Sequence, residues 1–292
     1  MEIKIAKICG LCAGSLMALK TVNEKIAEGK KVVLFKELLH NNIVMSNLLK
    51  SAKLCESLEN IKNDDYVIIR AHGEPKQTYD YLNKHNILYS DCICPNVKRI
   101  QCLVHTKSNA GYKVIIIGKY GQDKRPMHPE VYGLNGWCNN AILIEDESDL
   151  KKLKNINEEN VLVVCQTTFN LKKATNLFKI IKELLKYKNL EIVNTICNAQ
   201  KSINSSSEEL ARNCDLMIVV GSKNSSNSVE LYKNVSNYTN AIFVQDIPHL
   251  INELKAINIT KFNNNYKIGI TAGASTPKEY LEEMAEFLKK NY

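Results

Sequence analysis

Gly10-Leu11-Cys12-Ala13-Gly14 leads into a helix-forming interval, Ser15 to Ala27, and then into a β-branched apolar run that begins at Val32. The same order recurs twice. Cys92-Ile93-Cys94-Pro95 precedes a helical interval from Asn96 to Ser108 and a run from Val114, and Thr195-Ile196-Cys197-Asn198-Ala199 precedes Ser202 to Arg212 and a run from Leu216. Measured from Cys12, Cys94 and Cys197, the runs begin 20, 20 and 19 residues on. Each copy holds a second apolar run, at Tyr66-Val67-Ile68-Ile69, Val161-Leu162-Val163-Val164 and Tyr266-Lys267-Ile268-Gly269-Ile270. Apolar runs alternating with helical intervals read as parallel strands buried on both faces, so the fold class is α/β. A plan repeated at this period predicts three similar lobes of ordinary domain size. They are expected at 13–96, at 97–193, and at 194–292 together with 1–12, the last ending in a C-terminal helix. In a threefold plan the cysteine turns hold equivalent places and can converge on one point.

A chain of 292 residues with 45% hydrophobic and 24% charged residues has the composition of a soluble globular protein rather than a disordered one. No run is long and apolar enough to span a membrane, and Met1-Glu2-Ile3-Lys4-Ile5-Ala6 reads as a strand, not a leader. A cytoplasmic, reducing setting is therefore expected, without membrane partners. Ten cysteines in such a setting call for metal ligation or redox work rather than disulfides. Cys55 and Cys214, each after a helical segment, Cys165 at the end of an apolar run, Cys102 in a helix and Cys138 beside Trp137 read as packing residues. With 39 basic and 31 acidic residues the net charge is +8, which favours anionic partners. The lysines are scattered and no nucleic-acid-binding signature accompanies them, so no nucleic acid is expected.

In parallel sheets ligands bind beyond the carboxyl ends of strands. The loops there carry Leu39-His40-Asn41, Ala71-His72-Gly73, His128-Pro129-Glu130-Val131, Gln166-Thr167-Thr168, Gly221 to Ser228 and Ala272-Gly273-Ala274-Ser275. Histidine, hydroxyl and amide donors with glycine turns suit phosphate oxygens. Gly221 to Ser228 lacks the second glycine and the Lys-Ser/Thr pair of a Walker A loop, and Ser225-Ser226-Asn227 also reads as a helix cap. Glu130 is the carboxylate of these motifs. Three thiolates leave one iron of a four-iron, four-sulfur cluster without a protein ligand, and that iron can serve as Lewis acid and electron donor. Zinc on three thiolates with an open fourth position is the competing metal.

From Ile5 to Ser275 the motifs, in combination and in order, resemble the LytB family of iron-sulfur 4-hydroxy-3-methylbut-2-enyl diphosphate reductases. The carriers are the Cys12 turn, His40-Asn41, Ala71-His72-Gly73, Cys94-Pro95, His128-Pro129-Glu130-Val131, Gln166-Thr167-Thr168, Ile196-Cys197, Gly221 to Ser228 and Thr271 to Ser275. The resemblance implies three α/β lobes in a pseudo-threefold trefoil around one 4Fe-4S cluster held by Cys12, Cys94 and Cys197, with one iron open to the substrate's allylic hydroxyl. It implies a diphosphate bound by His40, His72, Ser225, Asn227 and Ser275, with Ser226 and His128 lining the pocket. Glu130 would deliver protons, helped by Thr167 and with His128 beside it. Its reaction is a reductive dehydroxylation giving isopentenyl and dimethylallyl diphosphates, and its partner an acidic electron carrier, ferredoxin or flavodoxin.

The chain departs from the family pattern at several places. Leu11 stands where phenylalanine is usual, and Ser15-Leu16 differ. Arg70 replaces a small residue and would bring a permanent cation to the diphosphate wall. Cys92-Ile93 adds a thiol, Ala199-Gln200 and Ile203-Asn204 alter the stretch after Cys197, and the loop from Lys119 to Met127 is longer. Two other classes fit parts of the sequence: a cluster-bearing sensor or binding module without turnover, and a thiol oxidoreductase using Cys9-x-x-Cys12, a spacing that can lower a cysteine pKa.

Overall fold

The computed structural model describes residues 1–39, 41–121, 126–223 and 225–292, with Ser226 described by its backbone only. In chain order the elements are β1 (Glu2–Ile5), α1 (Ala13–Ala27), β2 (Val32–Phe35), α2 (Asn42–Leu48), β3 (Lys53–Cys55), β4 (Tyr66–Ile69), α3 (Lys76–Lys84), β5 (Leu88–Asp91) and α4 (Pro95–Asn109). They continue with β6 (Lys113–Ile117), α5 (Pro129–Asn135), β7 (Ile142–Ile144), β8 (Asn160–Cys165), α6 (Leu171–Leu184), β9 (Asn189–Ile192) and α7 (Asn198–Ala211). The last are β10 (Leu216–Val220), α8 (Ser226–Val235), β11 (Asn240–Val244), α9 (Ile247–Ala256), β12 (Lys267–Ala272) and α10 (Lys278–Asn291). Among the described residues no helix is long and apolar enough to cross a membrane.

These strands form three four-stranded parallel sheets of one topology: β3-β2-β4-β5, β7-β6-β8-β9 and β11-β10-β12-β1. The chain divides into two compact units. One comprises Met1–Leu16, Leu39–Ser51 and Asn198–Tyr292 and holds the sheet of β1; the other comprises Met17–Leu38 and Ala52–Cys197 and holds the remaining two sheets.

Central strands β2 and β10 are buried along their whole length and β6 from Val114 to Ile117, because side chains of both parities meet helices. In the first unit Leu216, Ile218, Ile268 and Ile270 pack with Leu250, Leu254, Leu281 and Leu288 of α9 and α10. Met217 and Val219, one residue out of step, pack with Ile203 of α7 and Leu231 of α8. In the second unit Ile115, Ile117, Val161 and Val163 face Leu177 and Ile181 of α6, while Val114, Ile116, Leu162 and Val164 face Ile100 and Val104 of α4 and Leu134 of α5.

The three cysteine turns are equivalent in detail. Each follows the strand at the same edge of its sheet (β1, β5 or β9), and a helix begins at the next residue: Ala13, Pro95 or Asn198. Each cysteine N–H donates to a carbonyl just beyond the neighbouring strand: Cys12 to Ala274 (3.4 Å), Cys94 to Ala71 (2.9 Å) and Cys197 to Thr167 (2.8 Å). The helix after Cys197 starts four residues before the expected Ser202, continuing from its cysteine like the other two. Cys55, expected after a helix, is the buried last residue of strand β3.

Candidate active site

In the second unit Pro129 starts α5 and Glu130 lies in its first turn, with His128 as the cap. Proline suits that first position because its missing N–H has no helical partner there. The Glu130 N–H donates to His128 Nδ1 at 3.2 Å, and the His72 and His128 rings meet edge to face with centroids 5.6 Å apart. Glu130 is buried, 1% exposed. Its Oε1 accepts the Thr167 N–H and its Oε2 the Thr167 hydroxyl, both at 2.6 Å. Burial pushes its pKa up to about 7, against the opposing pull of the two Thr167 donors. A carboxyl so placed titrates near neutrality, well above a solvated carboxylate, and can exchange a proton there.

Thr167 also carries the carbonyl that receives the Cys197 N–H, so one residue holds both the acid and a cysteine turn. Gln166 fixes this loop: its Oε1 accepts the Lys119 N–H at 3.0 Å and its Nε2 donates to Thr168 Oγ1 at 2.6 Å. His128 N donates to Lys119 O at 2.9 Å and closes the base of the long loop before it; residues 122–125 of that loop lie outside the described residues.

The Cys197 sulfur accepts a hydrogen bond from Asn96 Nδ2 at 3.4 Å. Asn96 lies in the first turn of α4, two residues after Cys94, so within this unit the Cys197 sulfur and the helix start at Cys94 are brought together. Cys12 belongs to the first unit, where its sulfur is 3.3 Å from Ser15 Oγ. Each of the three cysteines directly precedes a helix, and Cys197 already carries a side-chain N–H on its sulfur. Among the described residues no group of three or more histidine, cysteine or acidic side chains stands where it could hold a single metal ion, and no disulfide joins the ten cysteines.

The first unit presents hydroxyls and amides. Ser225 caps α8, its Oγ accepting the Ser228 N–H at 3.3 Å and the Ser228 hydroxyl at 3.1 Å. The cap reading of Ser225 therefore holds, and it leaves the helix N-terminus facing the loop after β10. Asn227, in the first turn, is half-buried. Ser275 Oγ is buried with no hydrogen-bond partner among the described residues, an unmet donor of the kind a phosphate oxygen satisfies. Asn41 caps α2 through Ile43 and Val44 and reaches Thr276 Oγ1 at 3.4 Å. His40 and the Ser226 side chain lie outside the described residues.

Two expectations change. Arg70 is not a bare cation: it is buried, and its Nε donates to Glu74 Oε1 at 2.8 Å. Glu74, fully buried directly after His72-Gly73, is a second carboxylate, adjoining a motif that does not include it. Cys9 donates to Ala6 O at 3.1 Å and burial pushes its thiol pKa up, the opposite of what a Cys-x-x-Cys nucleophile needs.

Against known proteins, the sequence profile of the family described as LytB protein matches residues 3–289. A 4-hydroxy-3-methylbut-2-enyl diphosphate reductase of Clostridioides difficile (strain 630) is 36% identical over 99% of this chain and 99% of its own length. The enzyme of that description from Thermoanaerobacter sp. (strain X514) is 34% identical over 99% and 97%. A solved structure of (E)-4-hydroxy-3-methyl-but-2-enyl diphosphate reductase, described as the terminal enzyme of the non-mevalonate pathway, matches with TM-score 0.76 at 29% identity, covering 99% of this chain and 100% of that one. The E-1-hydroxy-2-methyl-but-2-enyl-4-diphosphate reductase of Plasmodium falciparum matches with TM-score 0.79 at 27% identity, over 99% and 88%.

Proposed function

The chain belongs to the LytB family, and from that premise we propose that it reduces 4-hydroxy-3-methylbut-2-enyl diphosphate, with Glu130 as the proton donor. Two electrons and two protons enter, the allylic C–O bond breaks, and water and an isopentenyl or dimethylallyl diphosphate leave. The family is iron-sulfur dependent. We assign Cys12, Cys94 and Cys197 as ligands of one 4Fe-4S cluster, which supplies the electrons and an iron without a protein ligand to draw on the hydroxyl oxygen. Zinc, which cannot change oxidation state, cannot supply those electrons.

The rest of the chemistry belongs to side chains. Hydroxide leaves poorly from carbon, and a proton delivered to the oxygen lowers the cost of its departure. Burial disfavours the ionised form of Glu130, so a large share of the molecules carry that proton at neutral pH. Thr167 then stabilises the carboxylate left behind through an O–H and an N–H donor, and its hydroxyl is placed to pass the proton on. His40, His72, His128, Ser225, Ser226, Asn227 and Ser275 are assigned to the diphosphate and its pocket. Histidines give cationic or N–H donors, serines give hydroxyls, and the start of α8 gives backbone N–H groups. The lobes are taken as 13–96, 97–193 and 194–292 with 1–12, the division that the three like sheets support. A net charge of +8 supports an acidic electron carrier as reductant in a reducing cytoplasm.

The observation that carries this reading is the buried Glu130 carboxyl clasped twice by Thr167 beside the Cys197 turn. Glu130→Gln keeps the shape and removes the transferable proton. Product formation under anaerobic conditions is expected to fall about 10²–10⁴-fold while inorganic diphosphate still binds. Unchanged turnover would remove Glu130 from the reaction, and wild-type protein that holds a cluster and binds diphosphate without turnover would favour the sensor.

A further inference from the structure

We propose that Arg70, Glu74 and Lys36 form a buried ionic brace that positions His72 for the diphosphate and fixes the backbone carrying Cys94, an inference that rests on the reading of His72 as a diphosphate ligand. Strand β4 ends at Ile69, so Arg70 is the first residue beyond its carboxyl end, and Glu74 follows the Ala71-His72-Gly73 turn. The Glu74 side chain has 0% exposure and that of Arg70 has 7%; that of Lys36 has 20%. Glu74 Oε1 accepts from Arg70 Nε and Oε2 from Lys36 Nζ, each at 2.8 Å. A single carboxylate thus ties together the two ends of the turn that holds His72, and pins that turn to the residue after β2.

The backbone of the turn is held at the same places. Gly73 N donates to Arg70 O at 3.0 Å, and Ala71 O receives the Cys94 N–H at 2.9 Å. Glu74 O receives Trp137 Nε1 at 2.9 Å and Gln101 Nε2 at 3.4 Å. Lys36 takes a left-handed backbone with φ of 65°, a conformation that a non-glycine residue keeps only where its surroundings fix it. Its N–H donates to Cys55 O at 2.8 Å, and its ammonium lies 4.6 Å from the Tyr132 ring centre.

Three charges in an interior are a poor way to gain stability, because desolvation offsets most of their attraction and apolar residues of like volume do as well or better. A carboxylate held on both oxygens gives direction instead, which apolar packing cannot. The three side chains also carry one net positive charge behind the turn, which favours an anion on its ligand side.

The test uses anaerobically purified holoenzyme, inorganic diphosphate as the calorimetric probe and steady-state turnover with an artificial reductant. Glu74→Gln should weaken diphosphate binding and raise KM about tenfold, the scale of one misaligned hydrogen bond, with kcat within about threefold. The double variant Arg70→Met with Glu74→Met should recover the melting temperature but not the affinity. Wild-type affinity in either variant would overturn the brace, and recovery of stability and affinity together would make it plain packing. Should Glu74→Gln fail to fold, the double variant decides alone. His72→Ala separates the two readings: weakened binding there with normal binding in the Glu74 variants overturns only the brace, whereas unchanged binding removes His72 as a ligand and the brace with it.

Discussion

Glu130 and Thr167 set opposing terms on one proton. Burial raises the carboxyl pKa, and the Thr167 hydroxyl and N–H, by bonding the ionised form, pull it back to about 7. The acid must be protonated to donate, so turnover should hold below about pH 7 and fall as pH rises through it. Thr167→Val deletes one stabiliser of the carboxylate and keeps the backbone N–H, so the pKa should rise and the alkaline limb of the pH–rate profile should move to higher pH. A limb that stays in place or moves down would show that another group sets it. The resemblance pairs Glu130 with Thr167, 37 positions away, but the pair of hydrogen bonds from the Thr167 N–H and hydroxyl to the two carboxylate oxygens comes only from the fold. Sequence spacing carries no information about such a meeting. The same holds for Glu74 and Asn96, which adjoin recognisable motifs but gain their partners only through folding.

At the level of elements, the central strands were readable because burial on both faces leaves continuous apolar runs. The outer strands β3, β5, β7, β9 and β11 were not identified. Lys53-Leu54-Cys55, Leu88-Tyr89-Ser90-Asp91 and Asn189-Leu190-Glu191-Ile192 are short and mixed in polarity, since a strand with one neighbour need not bury both faces. Those edges matter, because β1, β5 and β9 lead into the three cysteine turns. The first turn depends on Gly10, with φ of 78°, where an added Cβ would lie 2.8 Å from Thr276 O. Gly29 shares the conformation, with φ of 73°, but has open space around it. Gly29→Ala should therefore cost about 1 kcal/mol from backbone conformation alone, and Gly10→Ala roughly 2–4 kcal/mol once the clash is added. Urea unfolding measures both, and equal losses would show that crowding at the Cys12 turn is relieved without cost.

For the whole molecule, three sheets of one topology and three cysteines with equivalent backbone bonds make the repeat a property of the fold as well as of the sequence. The copies differ where the chemistry is assigned: the sheet of β6 and β8 brings the acid and its threonine, the loop after β4 brings His72 and its charged neighbours, and the sheet of β10 and β12 brings serines. These loops stand out in the sequence because few residue types suit phosphate or iron, and the roles given to them are proposals. The most direct measurement is anaerobic turnover of 4-hydroxy-3-methylbut-2-enyl diphosphate by the iron- and sulfide-containing chain with a strong artificial reductant, reading the diphosphate products. Isopentenyl and dimethylallyl diphosphates should form in wild type and be lost in Glu130→Gln. Protein that carries iron and sulfide, binds the substrate and yields neither product would contradict the assignment.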